Sequence, residues 1–149
     1  MTDLTKKDCL QLLENNYIGR LAFISAGHPE ILPITYYYDK KKNSIITYSG
    51  DGGKIKAMRQ NGSVSFQVDE IISLDKWKSV LLYGDYEEMS GIDAKHLLHE
   101  FSEGVKKIIQ KKEYLSPQFI SEFSSKLNTD TTPIVYRINI SEIKGKQRK

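Results

Sequence analysis

Within six residues, Ser49-Gly50-Asp51-Gly52-Gly53-Lys54 brings together a hydroxyl, three glycines and an ammonium. Glycines let an anion approach backbone N–H groups closely, and a helix starting at the lysine would add free N–H donors and a favourable dipole. Thr47, Tyr48 and Ser49 offer hydroxyls on the way into the turn. Such a turn could cradle a phosphate, with Lys54 neutralising its charge. The spacing is not the P-loop pattern Gly-x4-Gly-Lys-Ser/Thr. It is not the dinucleotide fingerprint either, because no βαβ unit surrounds it. A solvated strand-to-helix turn uses the same residues, and the sequence leaves that alternative open.

Other side chains offer less chemistry. His28 falls in a turn, and His96 and His99 stand three apart on a helix without a further ligand in view, so no metal site is expected. The carboxylates are scattered, and no Ser-His-Asp arrangement emerges. No catalytic residue is assigned, and any redox or group-transfer chemistry would belong to a cofactor. Tyr36, Tyr37, Tyr38, Tyr48, Phe66, Trp77, Tyr83 and Tyr86 all fall in or beside strand-like segments. Singly each reads as core; as a group they could line a groove for a flat ring or fill a subunit interface.

Composition narrows the class. The chain has 149 residues, 39% hydrophobic and 28% charged, as expected for one globular domain spanning 1–149. A net charge of +3, from 22 basic and 19 acidic residues, is too small and too dispersed to favour nucleic acid. The single cysteine, Cys9, precludes an intrachain disulfide and reads as a small buried hydrophobe, compatible with a reducing cytoplasm. Neither a signal segment nor a membrane-spanning stretch is visible. The basic end, Lys144–Lys149, reads as a solvated tail.

The elements that must position the turn follow from periodicity. Thr5 caps a helix running to about Asn15, with Cys9, Leu12 and Leu13 on one face. Tyr17–Ser25, Ile31–Tyr38 and Ser44–Tyr48 read as strands, joined through Ala26–Pro29 and Asp39–Asn43. Pro33 inside a strand pattern calls for an edge or a bulge, where a ligand can approach the backbone. Lys54–Gln60 is a short helix stopped by Asn61-Gly62. Strands then cover Ser63–Asp69 and Lys78–Met89, with Gly84 as a bulge or bend and Trp77 in the connection. Asp93 caps a long helix whose stripe is Leu97, Leu98, Phe101, Val105, Ile108 and Ile109. A shorter helix at Pro117–Lys126 and a strand at Thr132–Ile140 complete the chain. Hairpin-linked strands predict an antiparallel α+β domain that curls into a barrel.

These segments resemble a known family. Gly19-Arg-Leu-Ala-Phe, Gly27-His-Pro-Glu-Ile-Leu-Pro-Ile-Thr-Tyr, Tyr48-Ser-Gly-Asp-Gly-Gly-Lys, Arg59-Gln-Asn, Val64-Ser-Phe-Gln-Val-Asp and Trp77-Lys-Ser-Val-Leu-Leu-Tyr-Gly are, in order and spacing, similar to the pyridoxamine 5'-phosphate oxidase-like flavoproteins. Within that family the chain most resembles the nitroimidazole-resistance (Nim-type) branch. The resemblance implies a six-stranded antiparallel split β-barrel with flanking helices, forming a homodimer with FMN at the subunit interface. Carried over by position, Leu32, Pro33, Ile34 and Thr35 would run along the flavin ring. Thr47, Tyr48, Ser49 and Lys54 would surround the phosphate, and Trp77 and Ser79 would approach the flavin, from the partner chain in one arrangement. The implied activity is an FMN-dependent oxidoreductase acting on a small aromatic or nitro-bearing molecule.

The chain also departs from the family's patterns. Nim-type proteins often carry a histidine where Tyr48 stands. True pyridoxamine-phosphate oxidases have basic residues in the strand matching Leu32–Tyr37 and an Arg-Lys pair where Gly53-Lys54 stands, together with an arginine- and tryptophan-bearing C-terminal segment absent here. Oxidation of vitamin B6 is therefore not expected. A non-catalytic module holding flavin, haem or deazaflavin on the same barrel is the alternative reading.

Overall fold

The computed structural model of the chain describes residues 1–112 and 133–149. In chain order its elements are β1 (Thr2–Asp3), α1 (Lys6–Glu14), β2 (Ile18–Ser25), β3 (His28–Thr35), β4 (Tyr37–Asp39), β5 (Ser44–Ser49), α2 (Gly53–Gln60), β6 (Ser63–Ser73), β7 (Lys76–Glu88), α3 (Gly91–Lys112) and β8 (Ile134–Arg148). The strands pair antiparallel in the order β3-β2-β6-β7-β8-β5-β4, and β1 pairs with the far end of β8. Among the described residues, β1 and β4 are short additions to six longer strands. β3 and β4 end the sheet, so it wraps a core without closing its ladder. This is the split-barrel, α+β architecture predicted.

Strand alternation builds two cores on opposite faces of the sheet. Leu21, Phe66, Val80, Leu82, Ile45, Tyr136 and Ile138 point inward and are closed over by Cys9, Leu12 and Leu13 of α1 and Ile55 and Met58 of α2. The other face of β5 and β8 presents Ile46 and Val135 to the α3 stripe of Leu97, Phe101, Val105 and Ile109. Each such fully buried side chain is worth roughly 1.5–3 kcal/mol of transfer free energy. The outer face of β2, β3, β6 and β7 has no such cover among the described residues. Ile18, Ile31 and Ile71 there are 52%, 64% and 70% exposed.

Several boundaries differ from the sequence expectations. The first hairpin turns on only Ala26-Gly27, with Ser25 opposite His28. Both turn residues have positive φ, 50° and 79°, as a two-residue turn of the I′ kind requires. Alanine gives no signal for that conformation, so the turn read as longer. The following strand breaks at Tyr36, whose N–H donates to the Tyr17 carbonyl at 2.8 Å.

The β6–β7 hairpin is longer than predicted, reaching Ser73 and resuming at Lys76. Trp77 therefore lies in β7, opposite Ile71, and not in a connection. The basic end is not a free tail either. Lys144, Lys146 and Arg148 are outward residues of β8, which pairs with β7 as far as Trp77↔Arg148. Ile143 packs on the first core, and Gly145 backs onto Leu4 and Cys9. Charge on the outward positions hid the strand. At Gly84 the predicted irregularity is present: the register shifts, and a Cβ would sit 2.5 Å from the Asn139 carbonyl oxygen. α3 starts at Gly91, which places Asp93 in its first turn. The helix expected at Pro117–Lys126 and the strand start at Thr132 lie outside the described residues. No described helix is long and apolar enough to cross a membrane.

Candidate functional site

β5 delivers the glycine turn and α2 leaves it. Gly52 caps α2 with extended backbone and no side-chain cap, so the first-turn N–H groups lack a side-chain acceptor from the N-cap residue. A Cβ built on Gly50, Gly52 or Gly53 would meet nothing within 4 Å, so one side of the turn is open. Lys54 is in the first turn of α2 and half-buried. Burial lowers its pKa, and among the described residues it has no ion-pair or hydrogen-bond partner. A desolvated ammonium without a counter-charge is costly, and an anion at the same helix end would offset that cost. The residues present thus fit a phosphate.

The strand residues divide by face. Thr47 is buried and donates its hydroxyl to the Thr35 carbonyl at 2.7 Å, so its single proton is committed within the fold. Ser49 is on the same face, and its hydroxyl donates to the neighbouring Gly50 carbonyl at 2.9 Å. Tyr48 points to the other face. Its ring meets Phe101 of α3 edge-on, with centroids 5.3 Å apart, and burial raises its pKa. The expectation that Thr47, Tyr48 and Ser49 line the cradle together therefore conflicts with strand alternation. Beneath this end of β5, Tyr136 pairs in register with Thr47, and its fully buried hydroxyl has no hydrogen-bond partner among the described residues.

Leu32, Pro33, Ile34 and Thr35 occupy β3, a terminal strand, as a proline in the ladder requires. Only one edge of β3 pairs with β2. The outer-edge N–H and C=O groups remain for a ligand or a neighbouring chain. Pro33 lies opposite Arg20, which points to the uncovered outer face.

Trp77 and Ser79 share that outer face on β7, away from the glycine turn. Ser79 accepts a hydrogen bond from Gln67 at 3.0 Å, within a polar row in which Arg20 reaches Asp69 at 3.1 Å. Trp77 lines a cavity of about 450 Å³ with Asp8, Glu70, Lys76, Lys78 and Arg148, and that cavity includes no residue of the glycine turn. Within one chain the structure joins Thr35 to Thr47 and places Lys54 at the turn, but it leaves Trp77 and Ser79 apart.

Sequence reasoning also missed a network at the turn. Arg59, in the last turn of α2, holds both oxygens of Glu88 at 2.8 and 2.9 Å, and Tyr86 donates to Glu88 at 2.7 Å. These groups hold the Glu88 carboxyl below the usual carboxylate range. The sequence signals were Arg59 in the last turn of a predicted helix and the Arg59-Gln-Asn segment of the family resemblance. His96, by contrast, merely pairs along α3 with Glu100 at 2.9 Å.

Comparison with known proteins follows the same outline. The pyridoxamine 5'-phosphate oxidase family model matches residues 5–147. An uncharacterized protein of Rhizobium meliloti is 27% identical over 143 residues, covering 96% of this chain and 92% of its own. The crystal structure of a FAD-binding protein from Mesorhizobium loti is 29% identical, with a TM-score of 0.74 and coverage of 99% and 98% of the two chains. A 5-nitroimidazole antibiotic resistance protein candidate from Bacteroides thetaiotaomicron shares the fold, with a TM-score of 0.62, 13% identity and coverage of 97% and 85%. Sequence and fold agree over nearly the whole length, and the chain belongs to the pyridoxamine 5'-phosphate oxidase-like family.

Proposed function

We propose that this protein binds a flavin, FMN, with its phosphate at Lys54 and the first turn of α2. The half-buried Lys54 ammonium, lacking any partner among the described residues, carries this reading. The free edge of β3 at Leu32–Thr35 suits backbone contacts to the flavin ring. Bound flavin supplies redox chemistry that no side chain here offers. The chain's own residues bind and orient: Lys54 and the turn fix the phosphate, while Thr47 holds Thr35 at the end of β3.

The reading extends to a homodimer. Ile18, Ile31 and Ile71 are exposed on the same face as Pro33, Trp77 and Ser79. A second copy would cover this face and bring Trp77 and Ser79 towards a flavin held by its partner. The proposed activity is oxidoreduction of a small aromatic or nitro-bearing molecule, on the pattern of the Nim-type branch, and the proposed compartment is the cytoplasm.

FAD is the second reading, favoured by the open side of the glycine turn and by the FAD-binding relative from Mesorhizobium loti. An absorbance spectrum of the purified protein tests the class. Flavin bands at roughly 370 and 450 nm support it, and a haem band in their place overturns it. Chromatography of the extracted chromophore separates FMN from FAD. Turnover of a nitroaromatic or quinone with NADH or NADPH tests the reductase activity, and its absence with flavin bound leaves a non-catalytic flavin module.

A further inference from the structure

Asp51 stands three residues before Lys54 and would repel an anion seated on the glycine turn. Arg59 faces it: Nη1 of Arg59 is 3.6 Å from Asp51 Oδ1. The same guanidinium is fixed elsewhere, through Nε and Nη2 on the two Glu88 oxygens. Glu88 ends β7 and also accepts the Tyr86 hydroxyl, whose ring lies 5.1 Å from Tyr136 in the barrel. A two-point fork sets the plane of the guanidinium, which a single contact would not. The cation beside Asp51 is therefore placed by the barrel and not by the turn.

We propose that Arg59 is a positioning residue for the anion site: anchored on Glu88, it holds Asp51 aside and cancels its charge, so that Lys54 meets a bound phosphate without competition from the turn's own carboxylate. This rests on the phosphate reading of the turn. Without Arg59, two carboxylates, Asp51 and Glu88, stand unneutralised beside α2. A purely architectural role would make different demands, because it needs the Arg59–Glu88 fork but not the charge on Asp51.

The test measures the affinity of the full-length protein for FMN and, separately, for inorganic phosphate. The variants are Arg59→Gln, Arg59→Lys, Asp51→Asn and the double variant Arg59→Gln/Asp51→Asn. Far-ultraviolet circular dichroism checks that each is folded. Arg59→Gln is expected to weaken both ligands about threefold to tenfold. Adding Asp51→Asn should restore affinity to within about twofold of the parent, and Arg59→Lys should stay close to it. Raising salt from about 0.1 M to about 1 M, where the Debye length falls from about 10 Å to about 3 Å, should shrink the defect.

A double variant as weak as Arg59→Gln, or a defect indifferent to salt, overturns the proposal in favour of simple support of α2. If Arg59→Gln does not fold, Glu88→Gln, which releases the fork that places Arg59, decides: a loss of affinity that adding Asp51→Asn restores supports the proposal, and no loss, or a loss that Asp51→Asn leaves in place, overturns it. Phosphate binding with the rescue pattern but no flavin binding keeps the proposal and ends the flavin reading. A parent protein that takes neither ligand overturns both.

Discussion

The Thr47 hydroxyl donates to the Thr35 carbonyl at 2.7 Å, tying β5 to the end of β3 across the seam between the sheet's two ends. Among the described residues no ladder bond does this work there, because β3 pairs only with β2. Thr47→Val keeps the shape and removes the donor, leaving a part-buried carbonyl unpaired. It should cost about 1–3 kcal/mol in denaturant unfolding. Thr47→Ser keeps the donor and should lose less than half as much.

Lys54 should set function against stability. Burial lowers its pKa below the ordinary lysine value of 10.5. The folded protein therefore sheds this proton at a lower pH than the unfolded chain, so the charged form opposes folding. The contribution of Lys54 to ligand-free stability should rise as pH climbs through its lowered pKa towards 10.5. Phosphate and FMN affinity should fall over that window, as titrations across pH will read. Lys54→Met should stabilise the ligand-free protein by about 0.5–1 kcal/mol. The same change should weaken FMN about tenfold to hundredfold by loss of a charge-assisted contact.

Tyr48 faces α3, and its contact with Phe101 uses the ring and not the hydroxyl. Tyr48→Phe should therefore leave FMN affinity within about twofold of the parent, measured by flavin fluorescence quenching. A large loss would place the hydroxyl at the ligand despite the strand's alternation.

Ala26 adopts φ 50°, a region that costs a residue with a Cβ roughly 1–2 kcal/mol. Ala26→Asn creates an Asn-Gly turn suited to this geometry. It should raise stability by about 0.5–1 kcal/mol in thermal unfolding, with no change in ligand binding.

The exposed outer face gives the proposed dimer its test. Ile31→Lys puts a charge where a second copy would bury an isoleucine. Light scattering should show the parent as a dimer and the variant as a folded monomer, with flavin affinity reduced at least tenfold if the groove lies between copies. A parent that is monomeric at micromolar concentration removes the shared-groove arrangement.

Much of this protein is legible in one dimension. Alternation at Val64, Phe66 and Val68 and the α3 stripe from Leu97 to Ile109 fix which faces are buried, because solvent exclusion acts locally on strand and helix periods. Pro33 marks the sheet's terminal strand because it cannot donate to a ladder. The ordered segments around Gly19, Pro33, Gly50–Lys54 and Trp77 carry the family resemblance. Tertiary structure decided the rest. β8 runs to Arg148 because backbone pairing with β7 tolerates charge on an outward face, which composition reads as a tail. Tyr48 turns from Thr47 because neighbouring strand residues face opposite ways once β5 lies between the two cores. Ser49-Gly50-Asp51-Gly52-Gly53-Lys54 marked a candidate anion site and left a solvated turn as the alternative. That Lys54 is desolvated without a partner among the described residues, and that Arg59 faces Asp51 from a fork on Glu88, depends on contacts between residues far apart in sequence, which only folding brings together.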